Sequence, residues 1–220
     1  MNHGTRWKGI VFDFDGTLLD STREGLSRFI RIAMNLDLEV NDDMIATIKR
    51  MWGVPGHILI STCWPHISPE TFMREWETFD SANPIALFPG VVDILAVLAQ
   101  HVPLSLLTAR SWSTHAQMRF HGISEHFCFV CTLDDSPMPK PHPESIGPLL
   151  EQYKQRGIKL NDLVLVGDSV RMDYVLARAL GTDFIALTWG SSSLDDFLAA
   201  GLDASCIIDT LEELQTLFFS

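Results

Sequence analysis

The chain turns on Ile10-Val11-Phe12-Asp13-Phe14-Asp15-Gly16-Thr17-Leu18-Leu19-Asp20. Ile10 to Phe14 has the short apolar, β-branched and aromatic make-up of a buried strand, yet it carries Asp13 and runs into Asp15. A carboxylate in such a run needs compensation. Gly16 permits a sharp turn, so both acids are expected at the strand's carboxyl end, where open α/β sheets place their ligands. Two acids separated by one residue on such a turn suit a hard cation and can divide nucleophile and acid roles between them. Taken alone, Asp-x-Asp also fits a solvated acidic turn.

After Asp20 the pattern changes from strand to helix. Ser21 to Met34 repeats apolar residues at helical spacing through Leu26, Phe29, Ile30 and Ala33. Asn41-Asp42-Asp43 supplies a capped start for a helix through Ile45, Ile48 and Met51, ended by Gly53 and Pro55. His57 to Trp64 is a shorter segment, and Ser68-Pro69 opens a helix through Phe72, Trp76 and Phe79 as N-cap and first-turn proline. Residues 21–86 thus read as an all-helical insert, with Trp52, Trp64 and Trp76 packing its core. From Phe88 onward strands and helices alternate. Helices are expected at Val91 to Gln100, Trp112 to Phe120, Pro143 to Gln155, Met172 to Leu180, Leu194 to Ala200 and the tail. Strands are expected at Pro103 to Leu107, Phe127 to Thr132, Leu163 to Val166, Phe184 to Leu187 and Cys206 to Ile208. Such alternation implies an α/β fold, a Rossmann-like, doubly wound and mostly parallel sheet formed by residues 1–20 and 87–220, with the helical insert as a small second domain.

The 220 residues, 46% hydrophobic and 20% charged, suffice for one core of ordinary size plus a smaller appended domain. A formal charge of −12 argues against nucleic acid as a partner, and an anionic substrate would need local cations, from a metal or from particular Lys and Arg residues. No apolar run approaches membrane-spanning length, and Met1 to Lys8 lead straight into a strand, so a cytoplasmic protein without a membrane partner is expected. The four cysteines are few for a disulfide framework. Cys128 and Cys131 face opposite sides of a strand and are expected as buried thiols. The eight histidines show no metal-ligand spacing. Buried and interface apolar residues look alike in sequence, so the oligomeric state is left open.

The remaining strand ends also carry polar groups. Leu106-Leu107-Thr108-Ala109-Arg110 puts a hydroxyl and turn amides where a phosphate can be held. Ser136 to Pro143 is a proline-stiffened loop with a single lysine, Lys140, whose stiffness favours one fixed position for the cation. Gly167-Asp168-Ser169-Val170-Arg171-Met172-Asp173 sets Asp168 at another carboxyl end, with Asp173 one helical turn further on. Asp13, Asp15, Asp168 and Asp173 meeting at one edge would repel one another unless a divalent cation and a lysine stood among them.

Asp13-x-Asp15-Gly16-Thr17, strand-terminal Thr108, Lys140-Pro141, and Gly167-Asp168 with Asp173 resemble, in order, the four motifs of the haloacid dehalogenase superfamily. Pro89-Gly90-Val91, Lys140-Pro141-His142-Pro143 and Thr188-Trp189-Gly190 are similar to its phosphoglycolate phosphatase-like branch, and the helical insert looks like that branch's small cap. Two departures stand out: Ala109 where Asn often follows the threonine, and the longer of the family's two spacings between Asp168 and Asp173.

The resemblance implies a magnesium-dependent phosphatase acting on a small phosphorylated metabolite. Asp13 would attack phosphorus to form an aspartyl-phosphate, and Asp15 would act as acid and then base. Mg2+ would be held by Asp13, the Asp15 backbone carbonyl and Asp168, with Asp173 as ligand or support behind the ligands. Thr108 and Lys140 would hold phosphoryl oxygens. Within the superfamily, the dehalogenases lack the second aspartate and the phosphonate hydrolases replace it, so Asp15 argues against both. A phosphomutase would keep all four motifs, and a non-catalytic binding protein on the same fold would be expected to lose one. Arg23, Arg28, Lys49, Arg50 and His57 of the insert are candidates to meet the rest of the substrate.

Overall fold

A computed structural model describes residues 6–51 and 56–219, the side chains of residues 49 and 50 apart. The chain folds into two compact units, one holding the residues up to Asp20 and those from Ala86 onward, the other Ser21–Ile85. In the first unit β1 (Gly9–Phe12) is followed, after the second unit, by α5 (Val91–Leu98), β2 (Leu104–Leu107), α6 (Ser113–Phe120) and β3 (Phe127–Cys131). Then come α7 (Gly147–Gln155), β4 (Leu163–Gly167), α8 (Val175–Leu180), β5 (Asp183–Leu187), α9 (Leu194–Ala199), β6 (Ile207–Ile208) and α10 (Leu211–Phe219). Between Asp20 and Ala86 run α1 (Ser21–Asn35), α2 (Asp42–Met51), α3 (Gly56–Cys63) and α4 (Pro69–Ala82).

Among the described residues the strands form a single sheet in the order β3-β2-β1-β4-β5-β6. Every pairing is parallel. The order reverses direction beside β1, which is where an open α/β sheet offers a crevice at its carboxyl edge. Register then fixes what lines that edge. Phe12 pairs with Leu106 of β2 and with Val166 of β4, so Asp13, Thr108 and Asp168 leave the sheet side by side. The Asp13 amide donates to the Val166 carbonyl at 2.9 Å and the Thr108 amide to the Cys131 carbonyl at 3.0 Å, extending the ladder past the strand ends.

β1, β2 and β4 are fully buried, as continuous apolar runs in a two-sided parallel sheet require. Their side chains pack with Tyr153, Leu176, Phe184 and Phe197 in the core. The Tyr153 hydroxyl, buried in this core, meets the Ser105 hydroxyl at 2.7 Å, so neither polar group is left unmet. β3 is an edge strand, and this corrects the expectation for one of its two cysteines. Cys131 is buried, with its thiol pushed up to about 11 by burial, whereas Cys128 is exposed beside Arg156.

The helical unit has its own core, built on Phe29, Trp64 and Phe72, whose rings lie 4.6–5.8 Å apart. Trp64 is buried in it and Trp76 packs against it, while Trp52, Gly53 and Pro55 lie outside the described residues. Asn41 caps α2 by accepting from the Met44 amide at 2.9 Å. Ser68 stands at the N-cap position of α4 without a side-chain cap, because its hydroxyl is bonded to Glu70 instead. Arg28 is a second correction: it is buried within the unit, donating to Glu24 at 2.8 Å and to the Asn83 carbonyl at 2.5 Å, which ties α1 to the segment after α4. Its guanidinium is committed to structure. Arg23 and His57 are exposed, and the side chains of Lys49 and Arg50 fall outside the described residues.

Phe72 is 0% exposed, so Phe72→Ala should cost about 3–5 kcal/mol. Trp112→Ala, at a position 52% exposed, should change stability by less than about 0.5 kcal/mol. Denaturant unfolding of both variants checks the contrast; equal losses would contradict it.

Candidate active site

Asp13 is the first residue past β1, and its two carboxylate oxygens have different partners. Oδ1 accepts from Lys140 Nζ at 2.5 Å, and Oδ2 accepts from the Thr17 hydroxyl at 2.9 Å. Thr17 reaches back to Asp13 because Gly16, at φ 78°, takes the left-handed conformation that folds the chain over the strand end. Lys140 also donates to Asp173 Oδ1 at 2.7 Å, so one buried ammonium bridges two buried carboxylates. The loop that delivers it is held by its own polar groups. The His142 amide donates to the Pro139 carbonyl at 3.0 Å, and the Ser136 hydroxyl lies 2.6 Å from the Met138 carbonyl.

Asp168 leaves β4 and is gripped by the loop after β5. Its Oδ2 accepts from the Ser191 amide at 2.5 Å, and its Oδ1 lies 3.3 Å from the Thr17 hydroxyl. Gly190 makes this approach possible: a Cβ there would lie 2.1 Å from Asp168 Oδ2. The long interval from Asp168 to Asp173 has a local cause. Val170–Tyr174 is a π-helical turn, in which the Ser169 carbonyl accepts from both the Asp173 amide at 2.9 Å and the Tyr174 amide at 3.1 Å. The wider turn replaces the ordinary helical turn expected there. Asp173 Oδ2 in turn accepts from the Ser169 amide at 3.1 Å.

Asp13, Asp168 and Asp173 each offer an oxygen within 4.8 Å of the others. Burial pushes the Asp13 carboxyl well above the usual carboxylate range, against the opposing pull of Lys140. Burial, with Asp173 adding to it, pushes Asp168 up to about 6. Burial alone would lower the Lys140 ammonium, but Asp13 and Asp173 outweigh it and raise it. Three carboxylates facing one ammonium leave an excess of negative charge among hard oxygen donors. A divalent cation fits both the donor type and the charge deficit.

The other residues expected at the site stand at the same carboxyl edge of the sheet. The buried Thr108 accepts at its hydroxyl from the Arg110 amide at 3.0 Å. The Asp15 side chain is outside the three-carboxylate group and is bound by Arg110, whose Nε donates to Oδ2 at 3.1 Å while Nη2 bonds Oδ1. Thr17, Arg110, Gly190 and Ser191 received no role from the sequence. Thr17 and Gly190 lie inside quoted motifs, so position could have flagged them. Arg110 sits 95 residues from Asp15, and nothing local signals the pair.

The chain resembles known proteins along most of its length. The haloacid dehalogenase-like hydrolase family matches residues 10–187, and the chain belongs to that family. A phosphoglycolate phosphatase from Pectobacterium atrosepticum is 32% identical over 203 residues, covering 84% of this chain and 82% of its own. One from Yersinia pestis is 31% identical over 196 residues, covering 83% and 82%. A solved haloacid dehalogenase-like family protein from Streptococcus pneumoniae shares the fold at a TM-score of 0.76 and 23% identity, over 97% of this chain and 99% of that one. The chain is an enzyme, a phosphatase of this family.

A raised Asp168 means that the folded metal-free protein binds this proton more tightly than the unfolded chain does. The stability contributed is present below the unfolded value near 3.8 and is lost as pH rises through about 6. Metal-free Asp168→Asn should therefore be more stable than the wild type at about pH 8, with the gain vanishing below about pH 4. Thermal unfolding across that range checks the sign. A gain that grows on acidification would contradict it.

Proposed function

We propose that the protein is a magnesium-dependent phosphatase that hydrolyses a small phosphorylated metabolite through an aspartyl-phosphate on Asp13. One observation supports this above the others: Lys140 is anchored between Asp13 and Asp173, with Asp168 in reach of the same point. Asp13, Asp168 and Asp173, with the Asp15 backbone carbonyl, would hold the ion. When bound, it would supply positive charge beside the phosphoryl oxygens.

The chain's own groups account for the rest. Thr17 and Lys140 fix both oxygens of Asp13, so the attacking atom is oriented before substrate arrives. An Asp13 oxygen forms a bond to phosphorus as the bond to the leaving oxygen breaks, and Asp15 gives that oxygen a proton. Water then attacks the same phosphorus, Asp15 takes its proton, and the bond to Asp13 breaks to release phosphate. Thr108 and Lys140 hold the phosphoryl oxygens, contacts that strengthen as charge moves in the transition state. The relatives named phosphoglycolate phosphatase support a small carboxylate-bearing ester as the substrate. We assign the helical unit the role of a cap that selects among such esters.

A panel of phosphorylated metabolites, scored by released phosphate, tests the reading. Turnover should require magnesium, disappear with chelator and fall to background in Asp13→Asn. Lys140→Ala should lose on the order of 10²–10³ in kcat. Isomerised sugar phosphate without free phosphate would make the enzyme a mutase, and full activity in Asp13→Asn would remove the nucleophile.

A further inference from the structure

We infer that Arg110 is the positioning residue for Asp15, a role that rests on the proposed phosphatase chemistry and adds to it a residue that no motif supplied. Asp15 would have to present one oxygen to the leaving group, and its side chain is 36% exposed, so its aim needs an anchor. The Arg110 guanidinium supplies one: it touches both carboxylate oxygens and is itself only 5% exposed.

The anchor is fixed at its own backbone. The Arg110 amide donates to the Thr108 hydroxyl at 3.0 Å, and the Arg110 carbonyl accepts from the Leu133 amide at 3.0 Å. The fork is therefore carried by the turn that also carries Thr108, and it ties the acid's orientation to that turn. A planar guanidinium constrains a carboxylate in two directions at once, which a single-point ammonium does not. When Asp15 carries a proton on one oxygen, the hydrogen bond there is given up and the other keeps the side chain aimed. Without the fork, that two-point constraint is lost, and proton transfer to the leaving oxygen would suffer while phosphate binding would not.

The experiment compares two esters that differ in their need for a proton: β-glycerophosphate, whose alkoxide leaves poorly, and para-nitrophenyl phosphate, whose phenolate leaves unaided. For each, kcat/KM reports transfer to Asp13. Arg110→Gln should lower kcat/KM by about 100-fold on the alkyl ester and by less than about fivefold on the aryl ester, and Asp15→Asn should show the same asymmetry. Arg110→Lys should fall between wild type and Arg110→Gln on the alkyl ester. The double variant Asp15→Asn with Arg110→Gln should be no worse than Asp15→Asn alone, because the two act as a unit. Equal losses of Arg110→Gln on both esters, or additive losses in the double variant, would overturn the assignment and make Arg110 a phosphate contact or a purely structural residue. Should Arg110→Gln fail to fold, Arg110→Lys carries the same comparison. Wild-type protein that releases phosphate from neither these esters nor any member of the metabolite panel would overturn the phosphatase chemistry itself, whereas an active wild type whose Arg110→Gln variant lacks the leaving-group asymmetry would remove only the role of Arg110.

Discussion

The Lys140 ammonium, buried between Asp13 and Asp173, is the interaction on which the site depends. Removing one charge from such a cluster leaves the others unpaired at low dielectric, so the arrangement holds only as a whole. It also explains features that look unrelated along the chain. The proline-rich loop has to bring Lys140 to the sheet edge, and the π-helical turn has to bring Asp173 to meet it. Gly190 has to leave room for Asp168. Each local irregularity is accounted for by the position of a charge.

The sheet makes that convergence inexpensive. Because β1 lies between β2 and β4 in parallel register, every residue just past a strand end arrives at the same edge. Residues more than a hundred positions apart become neighbours without a single long-range constraint in the loops. This is why the strand-end reading put Asp13, Thr108 and Asp168 on one edge: the apolar runs marked the strands, and parallel order did the rest. Lys140 could be placed because prolines narrow the paths its loop can take.

What stayed out of reach has equally physical causes. Cys128 lies in an apolar run, but burial depends on which strands end up at the sheet's edge, and composition does not encode that order. Arg28 reads from its helix as a cation free to meet a substrate; it is buried because partners on α4 and just beyond it close over it, a tertiary contact between segments more than fifty residues apart. Ser68 has the right identity and position for a cap, but a nearer carboxylate wins its hydroxyl. Arg110 follows Ala109 in an unremarkable turn, and the carboxylate it meets lies 95 residues earlier, a pairing that only the parallel sheet brings about.

The protein's net charge of −12 sharpens the question of how it would receive an anion. Lys140 and Arg110 stand at the sheet edge, and both already face carboxylates. Neither brings surplus positive charge to a phosphate. Burial pushes both Asp13 and Asp168 upward, so ionising the acids side by side is costly in the metal-free protein. A divalent cation would offset that cost by favouring the ionised carboxylates, and would add the positive charge that the two side chains lack. Metal binding, ionisation of the acids and admission of a phosphate are then three aspects of one electrostatic requirement, and the buried carboxylates that seem at first to oppose an anionic substrate are what would draw in the ion that makes it acceptable.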